Sequence, residues 1–342
     1  MKRFYCECGS QVFFENNNCL NCSARLGFDP DSMDMLAVHP GAGGVYHNKN
    51  GAEFRFCGNG ESYDVCNWLR PSQVEHPLCT ACQFNRTIPN QDFPENRSRW
   101  RTLEVAKKRL FFTLMQLHLP LKNGWSDPQN GLLLDFVEDG RSRADVFPES
   151  FLSTGYLGGV ITINVLEADD AARAAVREKM NEDYRTVLGH LRHESGHYFW
   201  SRLNPDTDTR AQFAKQFGDE NRDYKKALDA HYKSGPSLEW RQFYISAYAS
   251  SHPSEDWAES WGHYLHIYDA LDTAASQKLI EQSPADMNIA DRIAVWQDLS
   301  ITLNEMNRSV GLGDAYPFVI NKHVARKLTF VDAVICQLQE YG

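Results

Sequence analysis

Apolar residues recur along this chain either every three to four positions or every second position, and the switches between the two rhythms mark its elements. From 98 to about 118 the apolar face Leu103, Ala106, Leu110, Leu114 and Leu117 predicts a helix. A compact apolar run at 132–137 predicts a strand. In 160–165 Ile161, Ile163 and Val165 fall on one side, with Thr162 and Asn164 on the other; this is the alternation of a strand, and its polar face suits a sheet edge. Glu167, Asp169 and Asp170 then open what reads as one long helix to about Leu203, because negative charge is favoured at a helix amino end. Asn204, Pro205 and Asp206 stop it. A charged helical insertion reaches about 242, with little chemistry of its own, and helical patterns follow at 254–269, 274–281, 291–307 and 319–338. A polar cluster before the last of these, with Asn304, Arg308 and Asp314, reads as a helix-capping turn or as pocket lining.

Residues 1–95 follow neither rhythm. They are rich in Gly, Asn, Pro and aromatic residues and hold eight of the nine cysteines. The start passes straight into cysteines without the apolar core of a signal peptide, so the expected location is the cytoplasm, where cysteine clusters bind metal rather than form disulfides. Cys6 and Cys8 with Cys19 and Cys22, and Cys57 and Cys66 with Cys79 and Cys82, supply enough thiolates for two structural zinc ions, with the sharing of pairs left open. A redox role is disfavoured, since neither Cys-x-x-Cys pair opens an apparent helix after a strand. Cys336, between apolar neighbours, reads as a buried small hydrophobe. The proline-rich stretch 86–98 divides the chain into a zinc-ribbon-like module, 1–95, and a second domain, 96–342. The module either recruits a protein partner through exposed Phe54, Phe56, Tyr63 and Trp68 or packs on the second domain as a folding lid.

A net charge of −10, with acids outnumbering Lys and Arg inside the module, argues against nucleic acid or an anionic membrane as partner. No run approaches the roughly 20 apolar residues of a membrane-spanning helix.

The chemistry concentrates in His193-Glu194-Ser195-Gly196-His197. Histidines four apart project from one face of a helix and can hold one zinc ion, with Glu194 beside it as the base for a bound water. Gly196 costs roughly 1 kcal/mol relative to Ala inside a helix, so a close backbone approach is expected there. His190 is the weaker histidine, as the pair at i and i+4 already completes the pattern. A third histidine after a glycine, the metzincin arrangement, is absent, since Trp200 and Leu203 occupy those places. Glu255 and Glu259, again four apart, offer one ligand and one acceptor for a histidine N–H. The acidic start of a helix would also explain Glu255, and His252, His263 and His266 are rival ligands.

At these positions the sequence resembles the gluzincins, and among them the catalytic domain of anthrax lethal factor, which shares the His-Glu-x-Gly-His form, a tyrosine seven residues before the ligand glutamate, and a Glu-x-x-Ala-Glu helix. The resemblance implies His193, His197 and Glu255 as ligands, Glu194 as base, Tyr248 facing the oxyanion and Glu259 orienting a histidine. Tyr244 on the same stretch is the alternative tyrosine. Over nearly its whole length the chain is similar to a bacterial family of zinc-binding metallopeptidases with an amino-terminal zinc ribbon. Zincin likeness further implies that strand 160–165 pairs with an extended substrate.

The expected protein is therefore α+β, mainly helical with a small mixed sheet: a zincin-like zinc peptidase with one catalytic and two structural zinc ions, acting on a peptide or protein. The competing reading is a non-enzymatic adaptor whose cysteine sites present a surface to a protein partner; a redirected chemistry on a non-peptide amide is a third.

Overall fold

The computed structural model describes residues 1–142, 152–180, 182, 184–203 and 206–340. Its contacts divide into two compact units, one of residues 2–112 and 122–169, the other of residues 1, 113–121 and 170–342. The architecture is α+β.

In the first unit a hairpin of β1 (Phe4–Tyr5) and β2 (Gln11–Val12) precedes an antiparallel sheet of β3 (Arg25–Asp29), β4 (Asp34–Pro40), β5 (Tyr46–His47), β6 (Glu53–Phe56) and β7 (Leu69–Pro71), in that order. Helix α1 (Gly58–Tyr63) follows β6. Val38, Phe54, Phe56 and Leu69 form a core on this sheet, while Phe14 meets Phe28 edge to face at 4.8 Å and Phe28 packs on Trp68 at 4.8 Å. Three of the four aromatics expected at the surface are thus internal. Phe54, Phe56 and Trp68 are buried, because the alternation of β6 turns Glu53 and Arg55 outward, and Tyr63 packs on Trp100 at 5.3 Å.

A second, mixed sheet combines β8 (Asn85–Thr87), β9 (Leu133–Val137), β10 (Gly155–Leu157) and β11 (Val160–Asn164) in the order β10-β11-β9-β8. Helix α2 (Pro94–Gln116) gives this unit its residues up to Phe112. The expectation that 160–165 forms an edge is overturned: β11 is bonded on both sides, antiparallel to β10 and parallel to β9. Gly158 and Gly159, with φ of 56° and 86°, reverse the chain tightly enough for 155–157 to take the outer place. The polar Asn164 is satisfied inside, donating to Asp139 at 2.8 Å.

The second unit is helical: α3 (Asp170–Met180), α4 (Val187–Leu203), α5 (Thr207–Phe217), α6 (Tyr224–Ser234), α7 (Trp240–Phe243), α8 (Pro253–Ser276), α9 (Ile289–Ser309) and α10 (Lys322–Glu340). The single long helix expected across 167–203 is two helices. Thr186 restarts the chain, its Oγ1 accepting from the Gly189 N–H at 2.9 Å as an N-cap. Of the proposed stop, Asn204 and Pro205 lie outside the described residues, while Asp206 caps α5. No separate helix forms at 274–281, because α8 runs on to Ser276 and the chain then turns through Lys278 at φ 62°. Cys336 is exposed rather than buried, since Val334, Ile335 and Leu338 take the inner face of α10. Among the described residues no helix is long and apolar enough to cross a membrane.

Helices α4 and α8 carry the site and approach unusually closely. A Cβ added to Gly196 would lie 3.0 Å from Trp261 Cβ and 3.1 Å from Ala258 Cα. Trp257 Nε1 donates to the Gly196 carbonyl at 2.8 Å and Trp261 Nε1 to Ser195 Oγ at 3.0 Å, which fixes the register of one helix on the other. On its far side α8 is pinned by the buried Asp256–Lys327 ion pair at 2.6 Å. Gly196→Ala gains about 1 kcal/mol of helix propensity but overpacks the crossing by about 1–3 kcal/mol. The expected outcome in thermal denaturation is a lower midpoint; an unchanged or raised midpoint would show that the helices have room to part.

Candidate metal centre

Three groups of side chains converge among the described residues: Cys6, Cys8, Cys19 and Cys22; Cys57, Cys66, Cys79 and Cys82; and His193, His197 and Glu255, each with ligand atoms within 4.8 Å of one another. The cysteines therefore sort into the two sets of four that were left open. Sulfur separations of 3.6 Å for Cys6 to Cys22 and for Cys8 to Cys19, and 3.7 Å for Cys66 to Cys79, are close to the roughly 3.8 Å edge of a zinc tetrathiolate tetrahedron with 2.3 Å bonds. Such a site is closed, and it carries two net negative charges. Beside the second set lie the buried Lys107 and Lys108 of α2, with Lys107 bound to Glu104 at 2.8 Å. Burial would lower both lysines, but Glu104 and the cysteine sulfurs raise them, so both stay cationic. Sequence reading missed these residues, although Lys107 falls four after Leu103, within the apolar face of α2.

In the helical unit, one turn of α4 sets His193 and His197 with ring centroids 5.1 Å apart. Glu255 enters from the first turn of α8, its Oε2 at 3.0 Å from His193 Nε2 and its Oε1 at 3.5 Å from His197 Nε2. One turn later Glu259 accepts from His193 Nδ1 at 2.7 Å, and its other oxygen accepts from Ser246 Oγ at 2.6 Å. A ring held through Nδ1 presents Nε2 toward Glu255, the orientation a metal ligand needs. Glu255 is 1% exposed and Glu194 8%. Burial alone would push His193 down and the glutamates up. The mutual hydrogen bonds and charges win, so His193 stands well above the usual imidazole range, Glu255 well below the carboxylate range, and Glu259 is pushed down to about 2. The cluster is thus organised around positive charge.

Tyr248 packs its ring 5.9 Å from His193. Burial, then the negative charge of Glu255, raises its phenol far above its ordinary value, so the hydroxyl stays protonated. Tyr244 is instead a packing residue, with Lys327 4.2 Å from its ring. The insertion was read as chemically quiet and is not: Tyr224 of α6 donates to Glu255 Oε1 at 2.8 Å. Its sequence signal, a tyrosine in the first turn of a charged helix, has no spacing that links it to Glu255.

The rival histidines have other work. His252 caps α8, its Nδ1 accepting from the Ser254 N–H at 3.1 Å and its Nε2 donating to the Arg222 carbonyl at 3.1 Å. His263 meets Tyr316 Oη through Nδ1 at 2.9 Å, and burial pushes it down to about 4. His266 is pushed down by burial too, and His190 is outside the convergent group. Arg308 and Asp314 pair at 2.7 Å, while Asn304 bonds both backbone groups of Tyr316; the cluster is a loop clasp.

The donor sets fit zinc: four thiolates twice, and two imidazoles with one carboxylate, the three-ligand composition that leaves a coordination position for reaction. Fold and donor chemistry together describe an α+β protein with three candidate zinc sites. Residues 96–334 match the family described as "Putative zinc-binding metallo-peptidase" and residues 3–93 match a zinc-ribbon domain. The chain belongs to this metallopeptidase family. It is 38% identical over 347 residues to uncharacterized proteins of Mycobacterium bovis and Mycobacterium tuberculosis, alignments that cover 98% of this chain and 95% of each relative. No solved structure matches it.

If Glu259 orients His193, Glu259→Ala weakens zinc at this centre on the order of 10–100-fold in a chelator competition. Native affinity in that variant would remove Glu259 from the role.

Proposed function

We propose that the protein is a zinc-dependent peptidase of the gluzincin type, with residues 1–95 as its zinc-ribbon module and 96–342 as its peptidase domain. The observation that carries this reading is the convergence of His193, His197 and Glu255 with Glu194 on the same turn of α4. His193, His197 and Glu255 would hold the ion, and Glu259 would fix the tautomer of His193. Zinc, when bound, supplies Lewis acidity that brings the pKa of a bound water toward neutrality and polarises a scissile carbonyl. Glu194 takes the proton from the attacking water on its carboxylate and returns it to the departing amine nitrogen. The protonated Tyr248 hydroxyl donates to the oxygen on which negative charge develops. The two tetracysteine sets hold structural zinc and take no part in the reaction. The substrate is a peptide or a protein.

Replacing Glu194 by Gln keeps the shape and removes the base. Cleavage of a peptide library is expected to fall by on the order of 10²–10⁴-fold while zinc content is unchanged; retained turnover would take Glu194 out of its role. Metal counting separates this reading from an adaptor. Three zinc ions per native chain and two after joint replacement of His193 and His197 by Ala are expected by elemental analysis, whereas two in the native protein would favour the adaptor.

A further inference from the structure

Helix α6 is a part of the candidate centre that the quoted motif does not supply, and its placement is peculiar. None of its residues is buried. Gly218, with φ of 104°, lies before it, and Gly235, with φ of 79°, ends it; both are conformations that favour glycine. What holds α6 to the rest of its unit is concentrated at the amino end of α8. The Arg222 carbonyl accepts from His252 Nε2 at 3.1 Å, the ring of Tyr224 meets that of His252 edge to face at 5.2 Å, and the Tyr224 hydroxyl reaches Glu255 Oε1 at 2.8 Å. One turn before its end, His231 faces the ring of Tyr248 at 6.1 Å. A helix with no buried side chain is therefore seated by its contacts with a candidate metal ligand, the cap of that ligand's helix and the candidate oxyanion tyrosine.

The geometry points to Tyr224 as a positioning residue for the ligand carboxylate of Glu255, and we propose that the metal centre reaches full affinity only while α6 is seated over it. The inference rests on the reading of His193, His197 and Glu255 as the zinc site. Its physical basis is the division of labour between the two oxygens of Glu255. The hydroxyl of Tyr224 donates to Oε1, the oxygen that also lies 3.5 Å from His197 Nε2, and leaves Oε2 toward His193 Nε2, so the carboxylate is held in the one rotation that gives each imidazole an oxygen. A ligand fixed in advance loses less freedom when the ion binds. Hydrogen-bond partners of metal ligands commonly contribute 10–100-fold in affinity. The same bond latches α6, so zinc retention and closure of the helix are linked in both directions.

The test uses the full-length protein and zinc alone. Tyr224→Phe removes one hydroxyl and keeps the ring that packs on His252. The expected result is a zinc affinity at the His/Glu centre lowered by on the order of 10-fold or more, with the thermal midpoint of the zinc-free protein close to native, faster hydrogen exchange across 224–234, and altered visible bands after cobalt substitution. Activity of the variant on the peptide library is expected to recover as free zinc is raised. A merely structural role for Tyr224 would shift the midpoint and leave the cobalt spectrum and the zinc affinity native; that outcome overturns the proposal. The joint His193→Ala and His197→Ala variant distinguishes the two levels of the argument. If it loses one zinc while Tyr224→Phe binds as tightly as native, only the role of Tyr224 falls; if it loses none, the assignment of the centre falls and the proposal with it.

Discussion

The candidate centre depends on how near two helix backbones come to each other. His193 and His197 stand on α4, Glu255 and Glu259 on α8, and none of these side chains can extend far enough to compensate for a wide crossing. A Cβ on Gly196 would sit 3.0 Å from Trp261 and 3.1 Å from Ala258, inside ordinary van der Waals contact, so its absence lets the two helices approach. Two indole N–H groups then lock the register by bonding to Gly196 and Ser195. Since a helix rises 1.5 Å per residue, a slip of one position would carry both carboxylates out of reach of their histidines. The tryptophans and the glutamates occupy adjacent faces of the same two turns of α8, so the contact that packs the core is also the contact that builds the site.

Charge is handled differently in the two units. With zinc bound the tetracysteine sets would concentrate negative charge, and the second has buried lysines beside it, an arrangement that would be costly without thiolates. The His/Glu centre is assembled from opposing tendencies, Glu255 held ionised against burial by its bonds to the imidazoles, and His193 held protonated against burial by the two glutamates. A divalent cation held among them would replace protons as the source of positive charge. Closed thiolate sets and an open three-ligand set are the two designs that protein zinc adopts for holding and for reacting.

Much of this was legible before the fold was known. The pairs at i and i+4, the glycine inside the helix and the Cys-x-x-Cys spacings are local patterns, and local patterns survive into the structure: Gly196 does mark a close approach, and the eight amino-terminal cysteines do fall into two sets. What was illegible depends on distant partners. Tyr224 meets Glu255 across 31 positions, with no periodicity to announce it. The start of α4 is capped by one threonine hydroxyl, and the inward direction of Phe54, Phe56 and Trp68 depends on a sheet whose pairing the irregular spacing of 1–95 concealed. Strand 160–165 was placed wrongly for the same reason, since its Asn164 is satisfied by Asp139 rather than by water.

The Gly158–Gly159 reversal also bears on how the molecule behaves in a crowded solution. By folding 155–157 back onto β11 it leaves the four-stranded sheet bordered by two strands of only three residues each, Gly155–Leu157 and Asn85–Thr87. The most apolar strands, β9 and β11, are thereby kept from offering unpaired amides to another copy of the chain. Short borders give a passing strand few hydrogen bonds to join, which guards against fibrous self-association.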